Sequence, residues 1–210
     1  MNSVDRWLIA LDATSDEPRL AAWGDLVIRY EEPHRRYHNL RHLTEVLDIV
    51  DDLAEEAADI SAVRLAAWFH DAVYESGAAH AEVSNEEASA RLAEQVLPGL
   101  GVEASRVAEV ARLVRLTEKH VAEDDDRNAA VLFDADLAIL AADPDRYAEY
   151  TAAVRAEYQE VPDDVFRPAR ARILEALLSA PTLYRTPSAR ERLESRARAN
   201  VTAEIELLSR

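Results

Sequence analysis

From residue 3 to residue 208 the apolar side chains recur at intervals of three and four, and no convincing alternating strand interrupts them. That period builds one face of an α-helix, whereas a half-buried strand needs a period of two. The pattern predicts an all-α protein with helices at 3–13, 17–30, 39–57, 61–75, 84–96, 103–119, 128–141, 144–158, 164–179 and 187–208. Start signals agree: Ser84 with Glu87 three residues on reads as a capping box, and Asp143-Pro144 places proline in a first turn. "PGLG" at 98–101 and "EDDDRN" at 123–128 read as breaks. The last helix is so rich in charge that only a narrow seam is apolar, which suits a surface helix packed on its own chain or on a second copy. An orthogonal bundle is expected, not a coiled coil.

With 210 residues the chain is long enough for a substantial core, and its four glycines and eight scattered prolines mark no linker. One domain, 1–210, is the expectation. The net charge of −17 argues against a nucleic-acid polymer or an anionic membrane as partner. Cysteine is absent, so disulfides, thiolate metal sites and cysteine nucleophiles are excluded. The N-terminus carries no basic region followed by a long apolar core, and a cytoplasmic location is expected.

Within this pattern "LAAWFHDAVY", residues 65–74, sets His70 and Asp71 in an otherwise apolar helix. A buried carboxylate is costly unless a cation or a metal pairs with it. Arg64 and Arg35 are the nearest candidate cations in sequence. In "YHNLRH" His38 and His42 stand four apart, and His42 borders the stripe Leu43, Val46, Leu47, Val50, so its ring points to the core, with His38 nearer the surface. "VLFDADLAIL", 131–140, interrupts a second apolar helix with two carboxylates. Asp136 has the more apolar neighbours one turn either side, and Asp134 is either its alternative or a surface carboxylate. Two buried carboxylates and two inward histidines offset each other's costs if they surround one divalent ion. Manganese, magnesium, iron, nickel, cobalt and zinc are the candidates, and this ligand mixture does not choose among them.

These residues resemble the HD superfamily of metal-dependent phosphohydrolases, whose pattern is a histidine, a His-Asp pair and a distant aspartate, all on helices. The closer likeness is to a small stand-alone branch of predicted phosphohydrolases. It is carried by "EPHRRYHNLRH" (32–42), "WFHDAVY" (68–74), "NEEASA" (85–90), "LFDADLAIL" (132–140), "VRAEY" (154–158), "LYRT" (183–186) and "ARAN" (197–200). The resemblance implies an HD-like helical fold and one divalent metal on His42, His70, Asp71 and Asp136. It implies hydrolysis of a phosphate ester, in a nucleotide or another small phosphorylated metabolite, by a metal-activated water in which Asp71 takes part.

Arg35, Arg36, Tyr37 and Asn39 are the candidate substrate or supporting contacts, and Glu86 the candidate base or water-orienting group. Glu86 also has a bland reading as a first-turn acid. His120 is either a further metal ligand or a histidine at a helix C-terminus, and His80 is expected in a loop. Three rivals stand behind the hydrolase: a non-catalytic regulatory module that binds metal and nucleotide, a di-iron oxygenase drawing on His38 and His120, and a purely structural helical protein.

Overall fold

The computed structural model describes residues 2–75 and 83–209, so His80 lies outside the described residues. The chain is all-helical there, with no strand among the described residues. In order come α1 (Ser3–Ala10), α2 (Glu17–Tyr30), α3 (Leu40–Asp52), α4 (Ile60–Phe69), α5 (Asn85–Val96), α6 (Ala104–Leu116), α7 (Arg127–Asp136), α8 (Pro144–Glu157), α9 (Asp163–Ser179) and α10 (Pro187–Leu208). Short 3₁₀ turns follow α3, α5 and α7. No helix among the described residues is long and apolar enough to cross a membrane.

The most apolar segment takes the centre. In α4 only Ile60 and Arg64 escape full burial, and α1, α3, α6 and α7 pack around it. Trp7 of α1 meets Trp68 edge-on, with ring centroids 5.5 Å apart, an arrangement worth about 0.5–1.5 kcal/mol beyond area burial. The charged α10 lies on α9 and on the 3₁₀ turn after α7, burying Ala189, Ala197 and Val201 as the expected narrow seam. It packs on its own chain.

Most boundaries match the sequence pattern, and the caps explain why. Asp143 accepts from the Arg146 amide, and Ser84 accepts from the Glu87 amide. Glu87 does not complete the capping box, because its carboxylate turns to Arg91 and Arg115.

The informative departure is α4, which ends at Phe69 instead of running to residue 75. Beyond it, backbone groups that a helix would pair internally find side chains from elsewhere. Arg35 donates to the carbonyls of Asp71 and Ala72, and Ser89 serves both the amide and the carbonyl of Val73. Asn85 clamps the amide and the carbonyl of Glu75. Partners supplied this way offset much of the cost of leaving the helix. His70 and Asp71 therefore sit in a tight turn at a helix end, not in mid-helix.

Candidate metal centre

Three segments bring the candidate ligands together. Asn39 is the N-cap of α3, its side-chain oxygen accepting from the amides of Arg41 and His42, which starts the helix that points His42 inward. The end of α4 delivers His70 and Asp71, and the last turn of α7 delivers Asp136. His42 and His70 are each only 2% exposed.

The tautomer of His70 follows from its neighbour. Its Nδ1 lies 2.8 Å from the carbonyl of Ala67, which only accepts, so Nδ1 carries the hydrogen. In the neutral ring Nε2 is then a bare lone pair. That lone pair stands 3.1 Å from His42 Nε2 and 3.2 Å from Asp71 Oδ2. His42 Nε2 is in turn 3.5 Å from Asp71 Oδ2 and 3.3 Å from Asp136 Oδ1. Asp71 Oδ2 is buried with no hydrogen-bond partner. Acceptors this close repel unless a proton or a cation stands between them.

The donor atoms of His42, His70 and Asp71 all lie within 4.8 Å of one another, a group that can hold a metal ion. Imidazole nitrogen, a second imidazole nitrogen and an orphaned carboxylate oxygen form a donor set that suits a divalent cation. Asp136 stands beside this trio. Its Oδ1 is 3.7 Å from His70 Nε2, and its Oδ2 accepts from His120 Nε2 at 2.9 Å.

Electrostatics agree with that reading. Burial alone would depress His42, but Asp136 and Asp71 outweigh it and raise its pKa to about 9. His70 is raised for the same reason, with Asp71 the main partner. Against the cost of burial, Asp71 is held well below the carboxylate range by His70 and His38, and Asp136 is lowered by His120 and His42. All four shifts favour positive charge between these groups, a place that a proton or a metal ion can fill.

Several expectations change. Neither Arg64 nor Arg35 pairs with the Asp71 carboxylate: Arg64 holds Asp51, and Arg35 holds backbone. The Arg35 side chain is fully buried, and besides Asp71 and Ala72 it donates to the His38 carbonyl and to Glu32. It ties the two halves of the centre together and leaves little for a substrate. Arg36 is exposed, while Tyr37 is buried, its ring 4.7 Å from that of His42.

His38 precedes α3 and gives its Nδ1 to Glu157 at 2.7 Å, so it does not share a helix face with His42. Asp134 is fully buried, not a surface carboxylate, and is the deeper of the two aspartates of "DAD". Its oxygens accept from the amides of Arg185 and Thr186, at 2.8 and 2.7 Å. Direction, not depth, decides which of the two faces the imidazoles. Glu86 is half-buried in the first turn of α5.

His120 takes neither sequence reading in simple form. It lies beyond the end of α6 with φ +50, a backbone conformation rare outside glycine, and from there reaches Asp136. It fixes which carboxylate oxygen turns to the imidazoles, the orienting role that partners of metal ligands play.

One residue had no assigned role in the sequence reading. Glu157 Oε1 accepts from the amides of Arg36, Tyr37 and His38 at 2.8, 2.7 and 2.9 Å, while Oε2 takes His38 and the Tyr74 hydroxyl. Its signal was the "VRAEY" segment, but its partners lie some 120 residues away.

Arg35→Ala is expected to cost about 3–5 kcal/mol, because it strands buried carbonyls and an acidic partner. Urea unfolding would measure that loss. Metal titration should show weakening of about 10- to 100-fold, the usual effect of losing a supporting partner. Arg35→Lys should not restore either, since an ammonium lacks the fork that spans three carbonyls.

No protein-family model, curated protein or solved structure matches this chain, so function must be argued from the geometry of the centre itself.

Proposed function

We propose that this protein is a metal-dependent phosphohydrolase acting on a phosphate ester of a small metabolite or nucleotide. The observation that carries the reading is the buried, partnerless Asp71 Oδ2 facing the bare Nε2 of His70. His42, His70 and Asp71 would hold the ion, with Asp136 beside them. When bound, such an ion supplies Lewis acidity toward a phosphoryl oxygen and acidifies a water.

The chain's own residues do the rest. The Ala67 carbonyl fixes the donor nitrogen of His70, and His120 fixes the inward oxygen of Asp136. Arg35 locks the His-Asp turn, and the buried Tyr37 packs against the His42 ring. Glu86 has no side-chain partner among the described residues and is the candidate to accept the proton of the attacking water. Arg36, exposed and next in sequence to Tyr37, is a candidate contact for the ester's phosphate.

Elemental analysis of wild type and Asp71→Ala, followed by a phosphate-ester panel with manganese, magnesium, iron, nickel, cobalt and zinc, tests this reading. Near-stoichiometric metal and hydrolysis in the wild type, both lost in Asp71→Ala, are expected. Metal without hydrolysis of any ester would favour the non-catalytic module. No metal in either protein after reconstitution would end the proposal.

A further inference from the structure

Three cavities border residues of the centre, and they differ in what their cations face. The first, 240 Å³, is lined by His42, Asp136, Glu45 and Arg146. Arg146 is already held there by both oxygens of Glu45, at 2.9 and 2.7 Å. The second, 410 Å³, is lined by aromatic and aliphatic side chains around Tyr37 and His38. Its cation, Arg170, is held by Glu204 and the Tyr150 hydroxyl. In both the positive charge is spent.

The third cavity is of another kind. It measures 360 Å³ and is lined by Lys119, His120, Arg185 and Arg190, with Phe133 and Leu137 as an apolar floor. Among the described residues none of these three cations forms an ion pair with a carboxylate. Arg185 uses its fork on the carbonyls of His120 and Ala122 and lies over the Phe133 ring, 5.3 Å from its centroid. Arg190 gives one donor to the Tyr184 carbonyl, and Lys119, the only lysine of the chain, is exposed at the rim. Exposed Asp124 is the one acid in the lining. Three cations without a carboxylate partner, gathered at one cavity, are unexpected in a chain of net charge −17.

A chain of contacts ties this cavity to the centre. Asp134 anchors the amides of Arg185 and Thr186, Arg185 pins the His120 turn, and the left-handed backbone of His120 carries its ring from this cavity to Asp136. One imidazole therefore separates the cavity from the metal-facing carboxylate.

We infer that this cavity is a phosphate subsite that holds a second, non-reacting phosphate of the substrate while another phosphoryl group lies at the His42/His70/Asp71 centre. The substrate class is then a small metabolite or nucleotide bearing two separate phosphate groups, its middle resting on Phe133 and Leu137. The flexible ammonium and the free guanidinium donors match a phosphate's oxygens. The name of the ligand rests on the phosphohydrolase reading; the anion site does not.

The test uses metal-stripped full-length protein and inorganic phosphate as the probe, by calorimetry at fixed ionic strength with acetate as the comparison anion. The wild type should bind phosphate more tightly than acetate, and Lys119→Gln/Arg190→Gln should weaken phosphate binding about tenfold or more. Arg29→Gln removes a cation on α2 that lines a separate cavity sharing no residue with this one, and should leave binding unchanged. Circular dichroism establishes that each variant is folded. No phosphate binding by the wild type, no preference over acetate, or equal binding by the double variant would overturn the subsite. Because neither metal nor turnover enters this measurement, a failed ester panel with intact phosphate binding would sink the hydrolase reading alone. Hydrolysis without phosphate binding in the cavity would sink the subsite alone.

Discussion

Stripped of metal, the wild-type protein is expected to lose stability as pH rises from about 6.5 to about 9. His42 titrates near 6.5 when unfolded and near 9 when folded, because Asp136 and Asp71 hold its proton against the cost of burial. A raised folded pKa stabilises fully below the unfolded value, and that stabilisation is gone once pH passes the folded value. The difference corresponds to a few kcal/mol. The depressed pKa values of Asp71 and Asp136 do not cancel it in this window, since their contribution is lost only in acid. Above pH 9 the His42 proton is gone, and its Nε2 faces the two carboxylates without one.

A divalent ion held there would take the proton's place, so metal affinity should rise across the same window as the competing protons leave. Urea unfolding with and without chelator, at intervals from pH 6 to pH 9.5, reads both effects. A falling curve in chelator that metal flattens is expected, and Asp71→Ala should reduce the slope. A chelated protein equally stable at both ends would show that the four groups are not coupled as described.

Glu157→Ala should be the most damaging single change outside the candidate ligands, at about 3–5 kcal/mol, by stranding three amides, an imidazole and a phenol. Burial works against the Glu157 charge, but His38 and the amides overcome it and hold its pKa at about 2. A lowered carboxylate stabilises above its unfolded value near 4.5, and loses that contribution as pH falls toward 2. About 3 kcal/mol of wild-type stability should disappear over that range. The variant should unfold earlier at pH 7 and show a shallower acid limb. If its acid limb matches the wild type, the carboxylate is not held by these partners.

The consequence for the centre is indirect. The Glu157 cradle fixes residues 36–38 just ahead of the Asn39 cap, and that cap starts the helix carrying His42. Far-UV signal should therefore survive Glu157→Ala better than metal binding does.

Much of the chain was legible without coordinates. Helix periodicity, the Asp143 and Ser84 caps, and the seam of α10 are local, set by residues three or four apart, so the sequence displays both partners of each interaction. His42, His70, Asp71 and Asp136 were legible for a related reason: a polar group inside an apolar pattern announces an unpaid desolvation cost. What local pattern cannot display is which distant group settles that cost.

Tertiary structure decided the rest. Arg35 looked like a phosphate ligand and instead closes the His-Asp turn, 36 residues away. The apolar run through residue 75 reads as helix until Ser89 and Asn85 offer its backbone other partners. Asp134 and Asp136 differ by two positions, about 200° around a helix, which turns one to the backbone of residues 185–186 and the other to the imidazoles. Glu157 and His120 acquire their roles only through contacts made across the fold. The sequence determined the helices and the polar groups that need a partner; the packing determined the partner, because hydrogen bonds and charge pairs act over a few ångströms of space, whatever the separation along the chain.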